Sequence, residues 1–504
     1  MNAMTEFKHL VLAATMMAAV GALAADFKAG FSRVDITPPL GSFMPGYYQE
    51  RYAKKVLDPL QINMLAFSDG KTTALVAQFD TEALSDVVAD RMRDAIVKAT
   101  GVERDAILLH ASHTHDGGFL AKRSSNGSAA RDDGDGVPQI DKSVDDLYIA
   151  MSVSRAADAA VAAIADLKNA KFSIGRSVAK RISFGRRYLM KNGKVLTNPG
   201  TNNPDIVKPV GTADDTVQVL RIDREGGKSV CVINFQTHPD VVGGETITAD
   251  WPGLTRAVFE AATFGDAHCM VLNGTQGDVN HCNVMPRPGE LNGLKRDFDA
   301  VDRGYDHAKH MANVIAGSAL SVWLKCASVE GGPVRFACSM VKVPAQKAKD
   351  SDEKNLAWAR DVWQLHEKSE KEGTVATAKD LVTLKYGWKD MELTTEVARA
   401  GRIIRMADHD DFHMLPIWGV AVGDVAFGAF PGEPFNDIGV EIRKQSPFKL
   451  TLLACLTNGS RGYFPFSDSY KQGGYESATS PFGPSVADDL IAGELKLLKE
   501  LRAR

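Results

Sequence analysis

Ile107-Leu108-Leu109-His110-Ala111-Ser112-His113-Thr114-His115-Asp116-Gly117-Gly118 opens as a short apolar run and turns at once into polar sequence ending on two glycines. A buried strand running into a surface loop reads this way. The same pattern recurs along the chain. Val76 to Phe79 runs into Asp80, and Val230 to Phe235 runs into His238. Met270 to Leu272 leads to Asn273-Gly274-Thr275-Gln276-Gly277-Asp278, Val425 to Phe430 to Pro431-Gly432-Glu433, and Leu450 to Leu456 to Asn458 through Tyr463. Helical stretches lie between: Ala83 to Thr100, Val144 to Leu167, Gly304 to Cys326 and Asp437 to Gln445. Alternating strands and helices predict an α/β fold of mixed α+β layers, with polar loops gathered at one edge of a sheet, where such folds place their sites.

Outward from these runs, two stretches read as peripheral. One is the Gly/Ser/Asp-rich loop from Lys122 to Val137; the other is a charged, helix-favouring insert at about 346–402, expected as a solvated helical pair that could serve as a lid. Nothing marks an internal repeat or linker, so residues 25–504 are expected to form one domain. A chain of 504 residues with 44% hydrophobic content can bury a sizeable core. Its net charge of -4 and lack of a basic run give no reason to expect a nucleic-acid partner.

At the N-terminus, Lys8 and His9 precede an apolar run from Leu10 to Leu23 and the small residues Ala22-Leu23-Ala24. This predicts a signal peptide over 1–24 and export to the periplasm or outside the cell. The run is too short to favour a membrane span, and no later segment is expected to be one. The six cysteines have no Cys-x-x-Cys spacing, which excludes a zinc-finger framework.

Three histidines in the opening stretch carry the sharpest chemical signal. In an extended segment residues two apart point to one side, so His113 and His115 can share a space. Neutral imidazole is the commonest ligand of a catalytic zinc; a hydrogen-bonded histidine cluster at a strand end is the plainer alternative. A catalytic zinc needs about three protein ligands and an open position. His238, before Pro239-Asp240, and Glu433, at a strand end before a helix, are candidates for the rest. Asp278 and Asp250 are candidates to orient the histidines, or else simple turn residues. His110, His281 and Asp116 lie near enough in sequence for a second ion to be conceivable.

Ser112 through Gly118 resembles the Thr-His-Thr-His-Ser-Gly-Pro-Gly-Gly segment of the neutral/alkaline, non-lysosomal ceramidases. Asn273 through Val279 is similar to that family's Asn-x-Gln-Gly-Asp-Val segment, and Phe427 to Phe435 to the strand ending Gly-Glu-Phe-Thr. Asn458 through Tyr463, Tyr470 and Tyr475-Glu476-Ser477-Ala478-Thr479 follow its Tyr-rich block. The four segments occur in family order and cover most of the chain after residue 24. Carried over by position, the resemblance implies Zn2+ held by His113, His238, Glu433 and Tyr463. It implies His115 and Tyr475 facing the substrate carbonyl, and Arg186 in the wall of the site; a solvated Arg186-Arg187 pair is the alternative.

The chain departs from the family twice. Where the family has serine after Gly-Asp-Val, this chain has Asn280, which cannot form an acyl-enzyme but could donate a hydrogen bond. The family's C-terminal β-sandwich is not expected either, because the chain closes on one helix, Val486 to Leu501. Ceramide is therefore a doubtful substrate, and the polar segment Arg186 to Lys208, with a hairpin turn at Asn192-Gly193, suggests a more polar one. The resulting expectation is an exported zinc hydrolase that cleaves the amide bond of a small-molecule N-acyl substrate by zinc-activated water. A zinc hydrolase of an ester or lactone, or a non-catalytic binding protein on the same fold, are the alternatives.

Overall fold

Strands buried on both faces need cover on both sides, and the chain supplies it with two packed sheets and flanking helices. The computed structural model describes residues 27–47, 51–121, 142–288, 303–347 and 353–504. The expected signal peptide and the loop from Lys122 to Val137 lie outside the described residues.

The larger sheet contains β1 (Lys28–Asp35), β2 (Gln61–Ser68), β3 (Thr73–Phe79), β4 (Ile107–Ala111), β5 (Lys168–Val178), β6 (Thr216–Arg224), β7 (Ser229–Phe235) and β8 (Ala267–Asn273). Their spatial order is β8-β7-β6-β5-β1-β2-β3-β4. The smaller sheet runs in chain order through β9 (Val334–Pro344), β10 (Phe412–Val422), β11 (Val425–Ala429) and β12 (Leu450–Ala454). Most neighbours are antiparallel, but β3/β4, β7/β8 and β11/β12 are parallel. Each parallel pair closes a strand–helix–strand unit, through α1 (Asp86–Thr100), α3 (Asp250–Ala262) and α8 (Asn436–Gln445) respectively; α2 (Lys142–Ala165) and α4 (Tyr305–Trp323) complete the helices of the first sheet. The chain is thus a mixed α/β fold. The strand ends read from the sequence are the ends of these parallel pairs.

The sheets pack on each other through Phe67 and Phe427, whose ring centroids lie 5.6 Å apart. Val425, Phe427, Leu450 and Leu452 belong to that shared core, while Ala426 and Leu453 face outward under Leu497, Leu498 and Leu501 of the C-terminal helix. Each such fully buried aliphatic or aromatic side chain contributes roughly 1.5–3 kcal/mol. Helix α1 starts where the Ser85 hydroxyl accepts the Val88 N–H and stops at Gly101 in the left-handed region. Contrary to expectation, α2 is long and apolar enough to cross a membrane. Its Ala156, Ala159, Ala160 and Ala163 nevertheless lie fully buried in the sheet core, with Gly30 of β1 beneath Ala163.

The insert is three helices rather than a pair: α5 (Glu353–Lys371), α6 (Leu381–Tyr386) and α7 (Asp390–Met406). They have a small core of their own, including Ala359, Val362, Val382, Val397 and Ile403. Two short helices, α9 (Ser467–Gln472) and α10 (Tyr475–Thr479), lie between β12 and the final helix α11 (Val486–Ala503).

Buried polar side chains join the two sheets where the parallel pairs end. Asn234 donates to the carbonyls of both Leu272 and Leu453, at 2.9 Å each. Asn458 donates to Ile107 O and accepts from Leu109 N. His110 contacts Cys455 O through Nδ1 at 2.6 Å and accepts the Asn273 N–H at Nε2, 3.0 Å. Both of its nitrogens are used, and burial pushes its pKa down to about 4; this histidine joins strands and is not available to a second ion.

Candidate metal centre

Three parallel pairs ending together bring three distant segments to one point. His113 follows β4, His238 follows β7, and Glu433 follows β11. Glu433 Oε2 lies 3.3 Å from His113 Nε2 and 3.1 Å from His238 Nε2, and His115 Nε2 lies 3.4 Å from His113 Nε2. The ligand atoms of His113, His115 and His238 all fall within 4.8 Å of one another.

The local backbone differs from the extended one expected. His113 has φ = 74°, a left-handed conformation that costs a non-glycine residue about 1–3 kcal/mol. Its N–H bonds to Thr81 O, and the turn, not strand alternation, aims its ring at His115. Nor do the aspartates orient the histidines. Asp278 accepts the Asn436 N–H and Asp250 accepts from Val241 and Val242; both hold loops, and burial pushes both pKa values up to about 7.

Backbone carbonyls orient the rings instead. His113 Nδ1 lies 2.8 Å from Glu82 O, and His238 Nδ1 lies 2.9 Å from Gln276 O and 3.1 Å from Val279 O. A carbonyl can only accept, so each Nδ1 carries the proton, and in the neutral ring Nε2 is left as a lone pair. Two lone pairs and a carboxylate then converge on one buried point. His238 Nε2 is buried without a hydrogen bond. Without a metal, burial disfavours a charged His113, but Glu433 overrides it and raises the imidazole to about 9, while the two histidines hold the Glu433 carboxyl well below the usual range. Two imidazoles, each oriented from behind, and a carboxylate are a donor set that suits zinc. Gln276 adds an N–H to Glu433 Oε2 at 3.3 Å.

Tyr463 stands beside Glu433 because Glu433–Pro434 and Tyr463–Phe464 form a short parallel ladder. Its ring stacks on His238 with centroids 6.5 Å apart, and Tyr475 meets it edge-on at 5.7 Å. Arg186 lies 5.5 Å above the Tyr463 ring, and its charge favours the ionised phenol against the burial that disfavours it. The expected alternative of a solvated arginine pair is excluded: both arginines are buried. Arg186 donates to Glu476 Oε1 at 2.7 Å and Gly277 O at 2.8 Å, while Arg187 donates to Ser469 Oγ and Gly473 O. Fully buried Glu476 also accepts from Thr197, on the Asn192-Gly193 hairpin. Asn280 is set one residue behind the wall: its amide reaches Asn198 at 3.3 Å and its carbonyl accepts Cys282 N–H.

The remaining neighbours are spoken for. Asp116 pairs with Arg51 at 2.9 Å, and His281 with Asp240 at 3.0 Å. Arg51, which carries no sequence signal, also donates to the carbonyls of Pro45, Gly244 and His115 and so clasps the His115 loop.

Two cavities meet at the centre, sharing Gly46, His115, Tyr463 and Tyr475. One, of 610 Å³, reaches His238, Arg186 and Asn198 and is roofed by Met391, Leu393 and Val397 of α7. The other, of 430 Å³, reaches His113 and Glu433. The helical insert therefore lies over the site.

No protein-family model matches the chain, and no curated protein matches it significantly in sequence. Solved structures do match. Neutral ceramidase from Pseudomonas aeruginosa aligns with a TM-score of 0.66 over 95% of this chain and 75% of that one, at 14% identity. A ceramidase complexed with C2 gives 0.63 over 95% and 76%, also at 14% identity. The likeness is one of fold, and the ceramidase-like fold expected from the sequence is the fold observed.

Proposed function

We propose that the chain is an exported, zinc-dependent hydrolase that cleaves the amide bond of an N-acyl substrate. One observation carries the reading: the Nε2 lone pairs of His113 and His238, whose rings are held from behind by backbone carbonyls, converge with the carboxylate of Glu433 on one buried point. Tyr463, side by side with Glu433, is the fourth ligand in this reading. Similarity of fold to ceramidases, which act on an amide, supports the choice of bond. Held by His113, His238, Glu433 and Tyr463, a zinc ion would supply Lewis acidity that brings the pKa of a water to about 7.

The chain's own groups do the rest. His115 and Tyr475 line both cavities, and donors in that position stabilise the oxygen that gains charge as the carbonyl is attacked. One of them passes a proton to the leaving amine, without which an amide does not break. Arg186, anchored by Glu476, holds Tyr463 in place. Asn280 acts through Asn198 as a wall residue and supplies no nucleophile. The apolar residues of α7 exclude water from the larger cavity, which suits an acyl group.

The test is elemental analysis of the purified protein beside His113→Ala and His238→Ala, with a panel of N-acyl and ester substrates assayed on the same samples. About one zinc per chain, lost with hydrolysis in both variants, is the expected result. Wild-type protein that binds no metal when zinc is supplied overturns the reading. Loss of amide cleavage with retained ester cleavage in Tyr475→Phe would identify the proton donor.

A further inference from the structure

The smaller cavity, walled by the last turn of α7, differs in character from the one that the first turns of α7 roof. Its outer wall carries Arg402, Arg405, His409, His413 and Arg461. The acids facing it, apart from Glu433, are Glu82 and Asp86, and Asp86 is engaged by Arg461 Nε at 2.8 Å.

Arg402 is the informative residue. It is only 6% exposed, and its Nε and Nη1 donate to Ala478 O and Gln346 O at 2.7 and 2.9 Å. Carbonyls satisfy hydrogens but do not neutralise a cation. Among the described residues Arg402 pairs with no carboxylate, and neither of these two bonds uses its Nη2. Its charged neighbours Arg399 and Arg405 are cations, so burial and repulsion together lower its pKa to about 10. A buried guanidinium without a counter-charge is unfavourable unless an anion arrives to pair with it. A second polar atom on this wall also lacks a partner: His413 Nε2 is buried without a hydrogen bond, and a ring nitrogen can give or accept one from a polar group that enters.

We propose that the smaller cavity is a subsite for an anionic group, so that the substrate is an acidic N-acyl compound whose carboxylate, sulfonate or phosphate pairs with Arg402. This rests on the hydrolase reading above. The cavity runs from Arg402 to His113 and Glu433, so a molecule anchored by its anion presents a bond to the metal centre. The amine half takes this side, and the acyl half lies under Met391, Leu393 and Val397.

Four substrates with one acyl chain and one two-carbon amine test it: N-acyl-ethanolamine, which is uncharged, against N-acyl-β-alanine, N-acyl-taurine and N-acyl-phosphoethanolamine. At least one anionic member should exceed the neutral one by tenfold or more in kcat/KM, mainly through KM, and the best of the three identifies the anion. Arg402→Gln should remove that preference, and Arg402→Lys should restore part of it. Equal use of all four, or equal loss on all four in a folded Arg402→Gln, overturns the subsite. If none is hydrolysed, the hydrolase reading is judged by the metal analysis above, and calorimetric binding of N-acyl-taurine still decides the subsite. Binding to wild type that weakens at least tenfold in Arg402→Gln supports it, and no binding overturns it. Should Arg402→Gln fail to fold, the kinetic preference and the binding are compared between wild type and Arg402→Lys.

Discussion

Glu433 and Tyr463 are direct partners across a two-residue parallel ladder, so their side chains leave the same side of it. This explains a phenol beside a carboxylate from segments thirty residues apart. Tyr463→Phe keeps the ring that stacks on His238 and removes only the hydroxyl. The expected outcome is a stability within about 1 kcal/mol of wild type with zinc affinity reduced roughly tenfold or more, measured by competition with a chelator. Unchanged affinity would remove Tyr463 from the ligand set.

Gly277 passes so close to Glu433 that an added Cβ would lie 2.5 Å from the Glu433 carbonyl oxygen. Gly277→Ala must therefore move the backbone that carries the carboxylate. A displacement near 1 Å costs on the order of a hundredfold in rate. Activity should fall by about that factor while circular dichroism is unchanged.

Glu476 is a fully buried anion shared by Arg186 and Arg187, at 2.7 and 3.6 Å. Glu476→Gln leaves two buried guanidinium groups short of a counter-charge, a change worth about 3–5 kcal/mol. Chemical denaturation should show a loss of that size, and Arg186→Met in the Glu476→Gln background should cost less than it does alone.

His110 makes a pH-dependent contribution. Burial lowers its folded pKa to about 4 from 6.5, so the unfolded chain binds the proton more readily. The stability this neutral ring supplies is complete above pH 6.5 and is lost as pH falls toward 4, by about 3 kcal/mol in all. The advantage of wild type over His110→Asn in urea unfolding should shrink across that window; a constant difference would mean that the ring is not kept neutral.

Much of this was legible in the chain because it is local. An apolar run that breaks into polar sequence marks a strand end, and Ile107 to Leu109, Val230 to Phe235 and Val425 to Phe430 all marked real ones. What aims the side chains was not legible. The left-handed turn at His113 is imposed by Thr81, which pairs with its backbone from another strand. The partners that set the imidazole tautomers are carbonyls of Glu82, Gln276 and Val279, and every residue type has a carbonyl. Asp278 and Asp250 were plausible substitutes only because side chains are visible in a sequence and backbone acceptors are not. Arg402 closes the insert that the sequence predicts to be solvated; its burial depends on α7 folding back onto Ala478 and Gln346, a contact no periodicity reports.

The three strand–helix–strand units that meet here belong to two different sheets, and each brings one member of the His113, His238 and Glu433 set. No unit alone can hold an ion in this arrangement, and neither sheet can do so without the other. If the proposed ion binds, its uptake is a checkpoint on assembly: a chain whose second sheet has not docked keeps two histidines and lacks the acid. In a protein that must fold after crossing a membrane, as the proposed export implies, the ion would be captured last and would clasp the finished molecule shut.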